Sequence, residues 1–453
     1  MKAKTTSRRP SLLPRSFQKR YPVAVRGEGA WLWDASGQRY FDLAGSAAVN
    51  IAGHGDKSIA AAIAQQAESL EFVHSSQFTS EIAEQFAEQV VSFAGPAFEG
   101  GAVFFTSGGS EAIETALKLA RQYQVEIGQT KRLKFLSRDQ SYHGATLGAM
   151  AVSGNRKRRE IYLPLFHDSA KVSTPYCYRC KYGCDDCATK YAEEVEQYLS
   201  VSGADTAAFL FEPVSGATLG AAVPPNGYLQ RVAEACRGKG VLVIADEVMT
   251  GFGRTGCKFA VDHWGVRPDM LVVAKGIASG YAPLGAVIAN RKIVEPIRSG
   301  SGSLVHGLTY NAHPISMAAG NAALQIILNG KLVEAASADG VAGRALSAAL
   351  STLKECNSVG DVRGIGLLWG LEFVSSRSTK MPFVPGVQYS NKVAAEAASR
   401  GVMTYPMQGC VDGIAGDHLL IAPPAVSKPD EIRWAVDQLK LAILEVERKL
   451  PQN

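Results

Sequence analysis

The stretch from Val241 to Gly276 constrains the fold more than any other: VLVIADEVMTGFGRTG, an amphipathic connection, then PDMLVVAKG. Two short apolar runs, Val241 to Ile244 and Met270 to Ala274, are each closed by a polar residue or glycine and predict two buried strands. In a doubly wound α/β sheet, ligands gather at the carboxyl ends of the strands, and that is where Asp246 and Lys275 fall. One acid and one amine are thus aimed at one site. A carboxylate just past a hydrophobic strand needs a cationic partner to stay charged, and a lysine in the same place can have its pKa lowered until it is nucleophilic.

An acid and an amine so placed match the needs of pyridoxal phosphate, a lysine for the Schiff base and a carboxylate for the pyridine nitrogen. Other chemistries compete for the same residues. Asp246 and Glu247 after VLVIA resemble the magnesium-binding acid of a phosphate-loop ATPase, but no G-x-x-x-x-G-K-[ST] occurs in the chain. Gly251, Gly253 and Gly256 spell the dinucleotide fingerprint, yet they come several residues after the strand and open no clear helix. Ordinary strand-end polarity explains Asp246 or Lys275 taken singly.

The rest of the chain decides between these. At 453 residues it exceeds one core and implies two or three domains. The 47 basic and 42 acidic residues leave a charge of +5, which calls for neither nucleic acid nor a membrane as partner. No apolar run approaches a membrane span and no secretory signal opens the chain. Residues 1–27 carry eight Lys or Arg and no acid. They read as a basic arm, with a mitochondrial presequence as the alternative.

Trp31 to Leu43 reads as a hairpin around Ser36-Gly37, and Ile59 to Leu70 as an amphipathic helix. A helix from Glu81 to Phe93 precedes a strand, Ala102 to Phe105. Thr106-Ser107-Gly108-Gly109-Ser110 then opens a helix whose Ala112, Ile113, Ala116, Leu117 and Ala120 share one face. Strand, Gly-Ser turn and helix N-terminus make a site for an anion such as a phosphate. The same loop is one residue short of the G-x-S-x-G nucleophile elbow, which would make Ser110 the nucleophile of a serine hydrolase with Asp246 and His306 or His313. That reading leaves Lys275 without a role. Further strands at Lys134 to Leu136 and Ala207 to Phe211 lead to Tyr142-His143-Gly144, where an aromatic can cover a flat ring, and to an acid at Glu212.

Ser107 to Ala112, Tyr142-His143-Gly144, Glu212-Pro213-Val214, Ala245 to Val248, Gly251 to Gly256, Ala274-Lys275-Gly276, Thr309-Tyr310 and Val362-Arg363-Gly364 together resemble the class III, or ω-, aminotransferases. These are fold-type I pyridoxal phosphate enzymes, and the likeness runs from about residue 20 to residue 445. The resemblance implies a large domain with a mostly parallel seven-stranded sheet between helices and a small α+β domain built from both chain ends. Residues 28–80 and 331–453 would supply the small domain and 81–330 the large one. It also implies roles. Lys275 would carry the cofactor and Asp246 pair with its ring nitrogen. Tyr142 and Val248 would cover the two ring faces, Gly109 and Ser110 hold the phosphate, and Glu212 shape the substrate side. Thr309 would reach the phosphate of a partner subunit's cofactor, making the enzyme a homodimer. The expected reaction moves an amino group from a primary amine, diamine or ω-amino acid to pyruvate or 2-oxoglutarate by a ping-pong mechanism, in the cytoplasm. Racemases, aminomutases and decarboxylating transaminases share these motifs.

Two departures stand out. Ala47, in Gly45-Ser46-Ala47-Ala48, replaces an aromatic found in many relatives, and Gln408 to Asp417 holds no arginine where several carry a carboxylate clamp. Cys177, Cys180, Cys184 and Cys187 form two C-x-x-C pairs in one loop, a density that would suit zinc, but the spacing is short for zinc knuckles and the family's chemistry needs no metal, so free thiols in an insertion are expected, with zinc or disulfides as the alternatives. Helices are expected at Pro314 to Leu328, Leu332 to Lys354, Tyr389 to Ser399 and Pro429 to Leu450, with strands at Leu367 to Phe373 and Leu419 to Ile421.

Overall fold

Strands that are buried on both faces must be apolar along nearly their whole length, and four such strands lie side by side at the centre of the molecule. The computed structural model describes residues 11–183 and 186–450. Its strands are β1 (Ala24–Glu28), β2 (Trp31–Asp34), β3 (Arg39–Asp42), β4 (Ala102–Thr106), β5 (Lys134–Arg138), β6 (Ala170–Val172), β7 (Thr206–Phe211) and β8 (Leu242–Asp246). They continue with β9 (Met270–Val273), β10 (Gly285–Ala289), β11 (Val359–Ile365), β12 (Leu368–Phe373), β13 (Val402–Met403), β14 (Tyr405–Gln408) and β15 (Asp417–Ile421).

The large sheet has seven strands in the order β4-β10-β9-β8-β7-β5-β6. It is parallel except for β10, which runs antiparallel to β4 and β9. Successive side chains point to opposite faces. Leu242, Ile244, Met270 and Val272 join a core with Ile113 and Ala116 of the helix Gly109–Glu126 and Ile293 of the helix Arg291–Ser299. Val243, Ala245, Leu271 and Val273 face the other way, into a core shared with Tyr191, Val195, Tyr228 and Val232. Each fully buried side chain of this size contributes roughly 1.5–3 kcal/mol, so this double burial fixes the strand ends that carry the site.

The other two sheets draw on both ends of the chain. One has the order β1-β2-β3-β13, with β13 parallel to β3, and the other the order β11-β12-β15-β14. The last residues of the basic stretch therefore form a strand, β1, while residues 1–10 lie outside the described part. The hairpin around Ser36-Gly37 joins β2 to β3, with Gly37 at φ 87° and Asp34 Oδ1 accepting from the Ser36 N–H at 2.9 Å. Buried Arg254 ties these ends to the centre: Nη1 donates to the carbonyls of Ala422 (3.0 Å) and Pro423 (2.6 Å), and Nη2 to that of Asn50 (2.6 Å).

One expected helix is not continuous. Leu332 to Lys354 divides into Leu332–Ala336 and Val341–Ser351, followed by a tight turn, Thr352–Glu355. The break is forced at Gly340, where a Cβ would stand 2.0 Å from the Glu334 carbonyl oxygen. The apolar period runs across this corner, and for that reason it reads as one helix. The neighbouring expectations hold within a residue or two, at Pro314–Asn329, Tyr389–Ser399 and Pro429–Lys449.

Candidate active site

Five carboxyl ends of the large sheet meet at one cavity of about 200 Å³. It is lined by Gly109 and Ser110 beyond β4, Tyr142 to Gly144 beyond β5, Glu212 and Val214 beyond β7, Asp246 and Val248 at β8, and Ala274 and Lys275 beyond β9. Of the residues given cofactor roles by the resemblance, only Thr309 is elsewhere. It lies exposed in a turn ahead of the helix Pro314–Asn329 and does not line the cavity.

Asp246 is buried, and its two oxygens are committed within the protein. Oδ2 meets His143 Nδ1 at 2.7 Å, and Oδ1 accepts from the Val248 N–H at 3.0 Å. His143 is buried as well, and its Nε2 has no hydrogen-bond partner. The Tyr-His-Gly motif is legible in the sequence, yet nothing there pairs its histidine with an acid 103 positions away. Glu212 is fully enclosed, and burial pushes its carboxyl up despite the opposing pull of His143. Its Oε2 accepts from the Tyr142 N–H and its Oε1 from the Gly216 N–H, both at 3.1 Å, so it shapes the wall of the cavity through two backbone segments.

Lys275 is half-buried and sits at φ 48°, in the left-handed region that side chains rarely adopt. Desolvation lowers its pKa from 10.5 to about 8 even though Asp246 and Glu212 both pull it upward. Among the described residues no carboxylate ion-pairs with it at 4.0 Å or less. The outcome is a nucleophilic amine held beside two acids.

At the other end of the cavity, the helix Gly109–Glu126 directs its first N–H groups inward without partners in the helix. Gly109 keeps this cradle open, because a Cβ there would come within 3.1 Å of Val248. Ser110 Oγ accepts from the Ala145 N–H at 3.0 Å, which draws the segment after Tyr142 against the helix start. The site therefore offers an anion cradle, a slot bordered by Tyr142 and Val248, an acid and a desolvated amine. An aromatic ring bearing a phosphate and an aldehyde fits that set, and the orphaned His143 Nε2 gives it one further polar neighbour.

The serine hydrolase reading fails on geometry. No histidine bonds Ser110 among the described residues; His306 Nε2 meets Thr115 Oγ1 at 2.9 Å, and His313 lies against Phe72 and Tyr310. Nor does a helix begin at Gly251-x-Gly253-x-x-Gly256, which forms a run of turns.

Comparison with known proteins gives the same answer. The description "Aminotransferase class-III" matches residues 14–443. The chain belongs to the class III aminotransferases. It is 37% identical to an uncharacterized aminotransferase of Bacillus subtilis, covering 98% of this chain and 99% of that one. An (S)-enantioselective ω-transaminase from Thermomicrobium roseum superposes with a TM-score of 0.89 at 35% identity, covering 96% of each chain. An amine transaminase from an uncultivated Pseudomonas species, solved in its PLP-bound internal aldimine form, does so at 0.88 and 34%, covering 98% of this chain and 99% of that one. This class III aminotransferase accordingly has the fold-type I architecture.

The loop with the cysteines lies apart from the cavity lining. Cys177 and Cys187 bring their sulfurs to 4.0 Å, and burial next to Cys177 and Cys180 pushes the Cys187 thiol up to about 11. Cys184 lies outside the described residues, among which no cluster of three or more His, Cys, Asp or Glu is arranged for a metal ion. Nor is any described helix long and apolar enough to cross a membrane.

Proposed function

We propose that this enzyme uses pyridoxal phosphate to move an amino group from a primary amine, diamine or ω-amino acid to a keto acid, pyruvate or 2-oxoglutarate, by a ping-pong mechanism. The observation that carries the reading is the desolvated Lys275 amine in one cavity with Asp246 and an anion cradle. When bound, pyridoxal phosphate supplies an aldehyde that condenses with amines and a ring that takes up the charge left on a substrate carbon. Gly109 and Ser110 would hold the phosphate end, and Tyr142 and Val248 would border the ring. Asp246, fixed by His143 and the Val248 N–H, would accept the hydrogen bond of the protonated ring nitrogen. Lys275, once its amine is free, would take the proton from the substrate's amine-bearing carbon and hold it for delivery to the cofactor's side. Glu212 keeps Tyr142 in place through its backbone N–H.

The exposed position of Thr309, off the cavity of its own chain, supports a role toward the phosphate of a second copy. The working unit is then a homodimer, and the cytoplasm is its place of action. The test is the near-ultraviolet and visible absorbance of the purified protein reconstituted with pyridoxal phosphate. A panel of amines, added without keto acid, should convert the spectrum to that of the aminated cofactor, and pyruvate or 2-oxoglutarate should reverse the change. A spectrum indifferent to every amine would sink the proposal.

A further inference from the structure

The proposed reaction needs a grip for a carboxylate, and the stretch Gln408 to Asp417 contains no arginine to supply one. The cavity's own carboxylates do not help, since Asp246 and Glu212 repel an anion and are engaged with His143, Val248, Tyr142 and Gly216. Three other arginines near the site, Arg138 and Arg254 buried and Arg363 half-buried, are also engaged. Arg254 is spent on three carbonyls, Arg138 donates to the carbonyl of Glu212, and Arg363 is paired with Asp361 and Glu372.

The short helix Arg156–Arg159 presents four cations in a row, and they have different partners. Arg156 pairs with Glu160 at 3.8 Å, Arg159 with Asp168, and Lys157 donates to Gln408 Oε1 at 3.3 Å. Arg158 alone of the four lies over a residue that lines the cavity, Tyr142, although it is not part of the lining itself. Its guanidinium lies 4.6 Å from the centre of the Tyr142 ring, and Nη2 reaches Met407 Sδ at 3.7 Å. It is half-buried, and among the described residues no carboxylate pairs with it. A ring face and a thioether are weak acceptors, so a guanidinium with five N–H donors keeps its fork unsatisfied. Its charge is felt at Lys275, where it counts among the groups that lower the amine's pKa. The Asn155 side chain caps the helix by accepting from the Arg158 N–H at 3.1 Å, which fixes the direction from which the arginine enters.

We infer that Arg158 grips the carboxylate of the keto acid acceptor, reaching from the large sheet's side the place next to Met407 where a C-terminal arginine is absent. This rests on the aminotransferase reading above. The shared partner is a small carboxylate approaching along Tyr142, toward which the guanidinium can offer two parallel hydrogen bonds.

The experiment compares the wild type with Arg158→Ala and Arg158→Lys in two measurements. The first is kcat/KM for pyruvate against propanal, an acceptor of similar size without a carboxylate, with the same amine donor. The second is binding of propanoate, an unreactive carboxylate, followed by calorimetry on the reconstituted enzyme. Arg158→Ala should lower the pyruvate-to-propanal ratio by about 30-fold, carried by KM, and weaken propanoate by a similar factor. Arg158→Lys should recover part of both, since an ammonium keeps the charge but not the fork. An unchanged ratio would overturn the assignment. So would an equal loss for pyruvate and propanal, which is what an arginine that merely props Tyr142 would produce. If the wild type accepts amino groups onto none of pyruvate, 2-oxoglutarate and propanal, the proposed transamination has failed, and the propanoate comparison still decides Arg158.

Discussion

Two buried clusters of opposite charges lie in this molecule, and they are held in opposite ways. At Glu372, on β12, every partner is present: Oε1 accepts from Arg179 Nε at 2.7 Å, Oε2 from Arg363 Nη1 at 2.9 Å and from the Tyr176 hydroxyl. Burial alone would raise this carboxyl, but Arg363, Tyr176 and Arg179 together pull it below the ordinary value of 4.5. At Lys275, half-buried, no carboxylate among the described residues pairs with the amine, so desolvation wins and it falls to about 8. A carboxylate with both oxygens paired is inert, and here it fastens the cysteine loop to β12. An unsatisfied cluster keeps a reactive group at the cost of stability.

Replacing Lys275 by Met should break the comparison most severely on the reactive side, lowering turnover by at least ~10³-fold while the fold persists. Steady-state rates with any accepted amine check this, and a variant working at the parent rate would remove the lysine from the mechanism. On the satisfied side, Glu372→Ala leaves half-buried Arg179 without its acid and Arg363 with Asp361 alone, and should cost about 3 kcal/mol of stability, read from denaturant unfolding. The sign with pH follows from its lowered carboxyl. The contribution of Glu372 is complete above about pH 4.5 and is lost as pH falls through the folded-state value.

Lys275→Met should have the reverse effect on stability. The folded-state pKa of about 8 lies below the ordinary 10.5, so the penalty for the buried ammonium is full below pH 8 and fades as pH rises toward 10.5. The cofactor-free variant should therefore be more stable than the parent by about 2–3 kcal/mol at pH 7 and equal to it near pH 11. Equal stability at both pH values would mean that the amine is solvated after all. The smallest effect belongs to Asp361→Asn, at the half-exposed rim of the Glu372 cluster. Arg363 keeps Glu372 there, and the loss should stay within about 1 kcal/mol.

What the sequence revealed follows the same division. Asp246, Lys275 and Glu212 are legible because a buried strand must be apolar, and a polar residue at its end marks a change of surroundings. The cradle at Gly109 and Ser110 is legible because a strand, a glycine turn and a helix follow one another locally. The pairing of His143 with Asp246 is not, since only the folded sheet brings the ends of β5 and β8 together. The break at Gly340 is hidden by an apolar period that continues across it. β10 is a further omission, five apolar residues without a neighbouring signal. Arg158 is the instructive case: within a run of four cations, only the partners of the other three set it apart.

The pairing of β3 with β13 carries a consequence for how the protein is made. Phe41 and Asp42 bond in register with Val402 and Met403, about 360 residues later in the chain. A ribosome adding roughly 5–20 residues per second needs some 20–70 s to cover that interval. For that time the hairpin of β2 and β3 waits with one edge unpaired and with Phe41, fully buried in the finished protein, uncovered. Newly made chains are then most prone to aggregate before their last fifty residues emerge, and slower translation of the central sheet would lengthen the exposure.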